Sequence, residues 1–90
     1  MVMITKKLII TNKFGLHARA AAKFVTEAGR YTSDIHVAHN GKQVNGKSIM
    51  GLMTLAASKG TEIELSVNGE DEAAAFNALE TLISNGFGEE

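Results

Sequence analysis

Gly15-Leu16-His17-Ala18-Arg19 assembles residue types that could hold and transfer an anionic group. The histidine stands where an alanine-rich helical pattern begins, two residues past a glycine and two before an arginine. A helix opening at Ala18 makes His17 its N-cap residue. The first N–H groups of a helix lack intrahelical acceptors, and the aligned peptide dipoles leave partial positive charge there. That field favours a neutral imidazole with a free nitrogen lone pair. It would also stabilise an anion carried on that nitrogen, helped by the Arg19 guanidinium. A nucleophile that accepts a phosphoryl group needs both properties. Gly15 allows a tight approach and leaves space near the ring. A histidine before a helix can equally be only a cap or a surface residue, and no second catalytic base is visible.

The elements that must position these residues follow from periodicity and punctuation. Ile4, Leu8 and Ile10 share one side of a period-2 pattern that Lys6 interrupts, which predicts a strand. Ala18 to Ala28 reads as a helix with Ala21, Phe24, Val25 and Ala28 on one face, stopped by Gly29. Tyr31 to His39 alternates around Ile35 and Val37. Asn40-Gly41 is a hairpin turn, and Lys42 to Asn45 is the return strand. Ser48 to Ala57 reads as a second helix. Glu62 to Val67 alternates most cleanly, with Ile63, Leu65 and Val67 inward. Asn68-Gly69 turns, and Glu70, Asp71 and Glu72 suit a helix N-terminus. Ala75, Phe76, Ala78, Leu79, Leu82 and Ile83 form the apolar face of the last helix, which Asn85-Gly86 ends. Gly86 to Glu90 reads as a loose tail.

The order β-α-β-β-α-β-α predicts an α+β fold: an open-faced two-layer sandwich of one half-buried sheet and three helices. Glu62, Glu64, Asp34 and His36 fall on the parity that faces water.

Composition removes several function classes. The 90 residues suit one small domain spanning 1–90, with no internal repeat or linker. A formal net charge of −1 is not the footprint of a nucleic-acid binder. There is no cysteine, so disulfides and thiolate metal sites are out. His36 and His39, three apart on a strand, point to opposite faces, and no third ligand accompanies them; no metal is expected. Lysines lie inside the strand-like run Met1 to Asn12 rather than before an apolar segment, which argues against a signal peptide. No stretch approaches the ~20 apolar residues of a membrane helix. A cytoplasmic location follows as the expectation.

Two further features carry chemistry. Ser48 precedes the middle helix and suits an N-cap. Ile49, Met50, Leu52, Met53 and Leu55 make that helix apolar nearly all round, and a short helix on a two-layer fold cannot bury every face. Leu52 and Leu55 are expected in the core. Ile49, Met50 and Met53 are expected at the surface, where methionine suits several partners.

Gly15-Leu16-His17-Ala18-Arg19 resembles the active-site signature of HPr, the histidine phosphocarrier family of the bacterial sugar phosphotransferase system. Asn40-Gly41-Lys42, Gly46-Lys47-Ser48-Ile49-Met50-Gly51 and Ala57-Ser58-Lys59-Gly60-Thr61-Glu62-Ile63 resemble it too, at matching intervals. So do Gly69-Glu70-Asp71-Glu72, Asn77-Ala78-Leu79 and the Gly-Phe-Gly-Glu tail. The resemblance spans nearly the whole chain. It implies four antiparallel strands with three helices on one face.

The resemblance also implies a function. His17 matches the residue phosphorylated on Nδ1 by enzyme I, with phosphoenolpyruvate as the original donor. The group then passes to sugar-specific IIA components. Arg19 matches the arginine that contacts the phosphoryl group. The protein would be a stoichiometric carrier rather than an enzyme, without a cofactor and monomeric. Lys47-Ser48-Ile49-Met50-Gly51 looks like the site phosphorylated by HPr kinase/phosphorylase. With this fold, Ile49, Met50, Met53 and Phe14 form a docking surface beside His17. Two positions depart from the family. Ala20 stands where most members have proline, and restores an N–H at the helix start. Phe14 stands where some members carry a small polar residue, which removes that side chain from orienting His17.

Two other functions compete with this one. A carrier of the nitrogen-related phosphotransferase branch, acting mainly as a regulatory binding protein, shares the histidine signature; the Ser48 motif leans toward the sugar branch. An RNA-binding or acylphosphatase-like domain of related topology is disfavoured, because RNA recognition of that type needs aromatics on the open sheet face. Tyr31 is the only tyrosine, and no phenylalanine falls within a predicted strand.

Overall fold

A computed structural model describes residues 3–89; Met1, Val2 and Glu90, at the ends of the predicted first strand and tail, lie outside the described residues. The elements are β1 (Ile4–Ile9), α1 (Ala18–Ala28), β2 (Asp34–His39), β3 (Lys42–Asn45), α2 (Ile49–Thr54), β4 (Glu62–Asn68) and α3 (Glu72–Ser84). The strands form one antiparallel sheet in the order β1-β4-β2-β3. Three helices cover one face, as the patterning requires.

The register follows from burial. Leu8 pairs with Ile63, Val37 with Leu65 and Ile35 with Val67, so every central pair sends apolar side chains toward the helices. Helix α1 meets them with Ala20, Ala21, Phe24 and Ala28, and α3 with Ala75, Phe76, Leu79 and Ile83. Burying one of the Val, Leu, Ile or Phe side chains contributes about 1.5–3 kcal/mol. Lys6, which interrupts the β1 pattern, lies on an edge strand. Its ammonium reaches Glu80 of α3 at 2.8 Å, so its stem spans the sheet edge while its charge stays in water.

Three boundaries differ from the sequence reading. Strand β2 begins at Asp34, not Tyr31. The Asp71 carboxylate accepts from the Thr32 and Ser33 N–H groups and the Ser33 hydroxyl, taking the donors a strand ladder would use. Helix α2 ends at Thr54, because Ala56 turns into the left-handed region at φ 52°. Gly86 to Glu89 is not loose. Gly86, Phe87 and Gly88 all have positive φ (62°, 58°, 73°), a left-handed turn that the flanking glycines make possible. The turn drives the Phe87 ring into the core at 1% exposure. Gly29 does end α1, but in the right-handed region at φ −66°.

Candidate functional site

His17 is the N-cap residue of α1, with φ −78° and ψ 178°, and its side chain makes no capping bond. Its carbonyl accepts from Ala21 N–H at 2.9 Å, which starts the helix. The N–H groups of Ala18, Arg19 and Ala20 find no acceptor among the described residues. Three donors at the positive end of the dipole are thus open to an anion. One of them exists because position 20 is alanine rather than proline.

The loop before the helix is set by a close backbone approach. Gly15 has φ +66°, and a Cβ there would strike the Ala57 carbonyl and Ser58. Leu16 N–H donates to the same carbonyl at 2.8 Å, and the Leu16 side chain is buried. The space Gly15 leaves is therefore used by the chain leaving α2, not by the imidazole. Phe14 stands edge-on to the His17 ring, centroids 5.8 Å apart at 84°.

A carboxylate also meets the imidazole. His17 Nε2 lies 2.7 Å from Glu89 Oε2. The other oxygen, Oε1, accepts from Asn12 Nδ2 at 2.9 Å, and the same amide donates to the Gly15 carbonyl at 2.8 Å. The Asn12 amide first, with His17 and Lys23 adding to it, holds the Glu89 carboxyl below the usual carboxylate range against the opposing effect of burial. Lys23 Nζ donates to the Phe87 carbonyl at 2.7 Å and ties the turn to α1. His17 Nδ1 has no hydrogen-bond partner among the described residues.

Asn12, Glu89 and Phe87 were missed in the sequence. The available signal was Phe87 itself, a large apolar residue between two glycines in a supposed tail. Arg19 is exposed, and no hydrogen bond or ion pair joins its guanidinium to His17 or to any other described residue. The ring's charged neighbour is thus an anion from the far end of the chain, not the cation two residues on.

Ser48 is the N-cap of α2, and its Oγ accepts from Gly51 N–H at 3.0 Å. Leu52 and Leu55 are buried. Phe14, Ile49, Met50 and Met53 are 67%, 40%, 72% and 39% exposed. Helix α2 packs on α1, so its apolar residues flank the helix that carries His17. His36 lies on the open sheet face opposite Ser66, and His39 Nδ1 is 3.2 Å from the Glu62 carbonyl. No helix among the described residues is long and apolar enough to cross a membrane.

Sheet order, helix placement and a histidine at the start of α1 define a small α+β sandwich that presents an imidazole beside free helix-end donors. The family described as PTS HPr component phosphorylation site matches residues 4–85. The chain is 54% identical to a phosphocarrier protein HPr of Neisseria meningitidis, covering 97% of this chain and 98% of that one. HPr-C-His from Thermoanaerobacter tengcongensis superposes with a TM-score of 0.90 at 49% identity, covering 100% and 99%. An HPr dimer from the same organism matches with a TM-score of 0.77 at 50% identity, covering 91% and 94%. The chain belongs to the HPr family of phosphocarrier proteins of the phosphotransferase system. The monomer expected from the sequence is thus not the state of every relative.

Proposed function

We propose that His17 accepts a phosphoryl group on Nδ1 from phosphorylated enzyme I and passes it to IIA components for sugar uptake. The observation that carries this reading is the pairing of a free Nδ1 with three unpartnered N–H groups on one helix start. The Nδ1 lone pair forms the new N–P bond as the donor's bond to phosphorus breaks. The helix-end donors offset the incoming negative charge. Arg19, exposed and unengaged among the described residues, is available to turn toward the bound group. The protein acts as a stoichiometric carrier in the cytoplasm, with no cofactor of its own.

Phe14, Ile49, Met50 and Met53 serve as the docking surface for enzyme I and IIA. Ser48 serves as a regulatory phosphorylation site for an HPr kinase/phosphorylase. A phosphate at that N-cap is tolerated in place and acts on partners through its charge.

Incubation with enzyme I and phosphoenolpyruvate tests the carrier reading. One acid-labile phosphate is expected on the wild type and none on His17→Ala; labelling that persists in the variant would put the chemistry elsewhere. With HPr kinase and ATP, an acid-stable phosphate is expected on Ser48, and its absence would leave Ser48 a cap alone.

A further inference from the structure

We propose that Glu89 is a positioning residue for His17, holding the proton on Nε2 and so presenting the Nδ1 lone pair to the incoming phosphoryl group. The proposal rests on the reading of His17 as the phosphoryl acceptor and adds the residue that selects which nitrogen reacts.

An ionised carboxylate only accepts hydrogen bonds. Glu89 Oε2 lies 2.7 Å from Nε2, so the nitrogen facing it carries the hydrogen. In the neutral ring this leaves the lone pair on Nδ1. The contact also fixes the ring's rotation about its side-chain bonds. The carboxylate is itself held. Asn12 Nδ2 binds Oε1, and Asn12 is 4% exposed, so that anchor does not move freely. Glu89 N–H donates to the Gly86 carbonyl at 3.0 Å, closing the left-handed turn. Phe87 plugs that turn into the core, and Lys23 ties its carbonyl to α1. The Glu89 side chain is only 12% exposed. A tail that merely latched to the surface would not require this chain of support.

The same contact serves the transfer step. When Nδ1 forms its bond to phosphorus and the donor's bond breaks, the ring keeps its Nε2 hydrogen and takes formal positive charge. The Glu89 carboxylate lies against that charge. When the group leaves for the next acceptor, the N–P electron pair returns to Nδ1 and the ring is neutral again, with no proton gained or lost.

The test is Glu89→Gln, with Glu89→Ala as a second variant. Gln keeps the size but can donate to Nε2, which permits the Nδ1–H tautomer. Ring nitrogen shifts from long-range proton–nitrogen spectra of His17 report the tautomer without any partner protein. The wild type is expected to hold hydrogen on Nε2 and a free Nδ1, and both variants to show a mixture. With phosphorylated enzyme I, kcat for His17 phosphorylation is expected to fall by about tenfold or more with KM little changed. An unchanged tautomer together with an unchanged kcat in both variants would overturn the proposal. A wild type that takes no phosphate on His17 would instead overturn the carrier reading, while the tautomer shifts still report on Glu89.

Discussion

His17 and Glu89, 72 positions apart in the chain, are joined by a 2.7 Å hydrogen bond between Nε2 and Oε2. The bond brings the turn that follows α3 over the start of α1. It makes the left-handed turn at Gly86–Gly88 part of the site rather than its periphery.

Phe87 links stability to that site. Phe87→Ala removes a ring at 1% exposure from the core, with an expected cost of about 3–5 kcal/mol. Urea unfolding measures the cost. The His17 ring shifts should move as in Glu89→Gln, because Glu89 loses its anchor. A full cost with unmoved His17 shifts would show that the turn and the site are independent.

Gly15→Ala tests the close approach at Ala57. The new Cβ meets backbone and the residue must keep φ +66°, so a loss of about 1–3 kcal/mol is expected. Hydrogen exchange at Leu16 N–H, which donates to Ala57, should quicken. Stability equal to wild type would mean that the loop can retreat without cost.

Asp71 sets an acid limit on stability. The Ser33 hydroxyl and then the Thr32 N–H, with the Ser33 N–H adding to them, lower its carboxyl from 3.8 to about 2. A pKa depressed in the folded state stabilises above the unfolded value and is lost as pH falls through the folded one. Stability should therefore decline between about pH 4 and pH 2. Asp71→Asn should flatten that decline and lower stability at neutral pH. Denaturant midpoints read between pH 2 and 7 check both; an unchanged acid slope in the variant would remove Asp71 as the cause.

Met53→Glu separates docking from folding. The residue is exposed, so stability should change by less than about 0.5 kcal/mol. Binding to enzyme I should weaken by about tenfold, ~1.4 kcal/mol. Calorimetric titration and a thermal melt give the two values. A large stability loss with intact binding would place Met53 in the core instead.

Ser48→Ala removes the bond to Gly51 N–H and should cost about 1 kcal/mol. Ser48→Asp should cost less, since Asp also caps. A negligible loss in Ser48→Ala would mean that the cap contributes little to α2.

Much of the frame was legible because its signals are local. The Ala18–Ala28 helix, the β4 alternation and the Asn40-Gly41 hairpin depend on residues two to four apart. The misread boundaries share one cause. β2 starts late because of Asp71, 38 and 39 residues away from the donors it takes, and no periodicity within Tyr31–His39 reports that. Gly69 belongs to the same joint, since a Cβ there would strike Ser33.

The sequence by itself determined where α1 begins, that His17 stands at its N-cap position, and that free N–H groups surround that start. These follow from the geometry of one helix end and need no partner. Only the tertiary structure decided which nitrogen of His17 stays free and which charge lies beside it. That choice depends on the path of residues 86–89, which the buried Phe87 ring returns to the first helix. Hydrophobic burial of one distant side chain, on a left-handed turn that its flanking glycines permit, brings Glu89 to the imidazole.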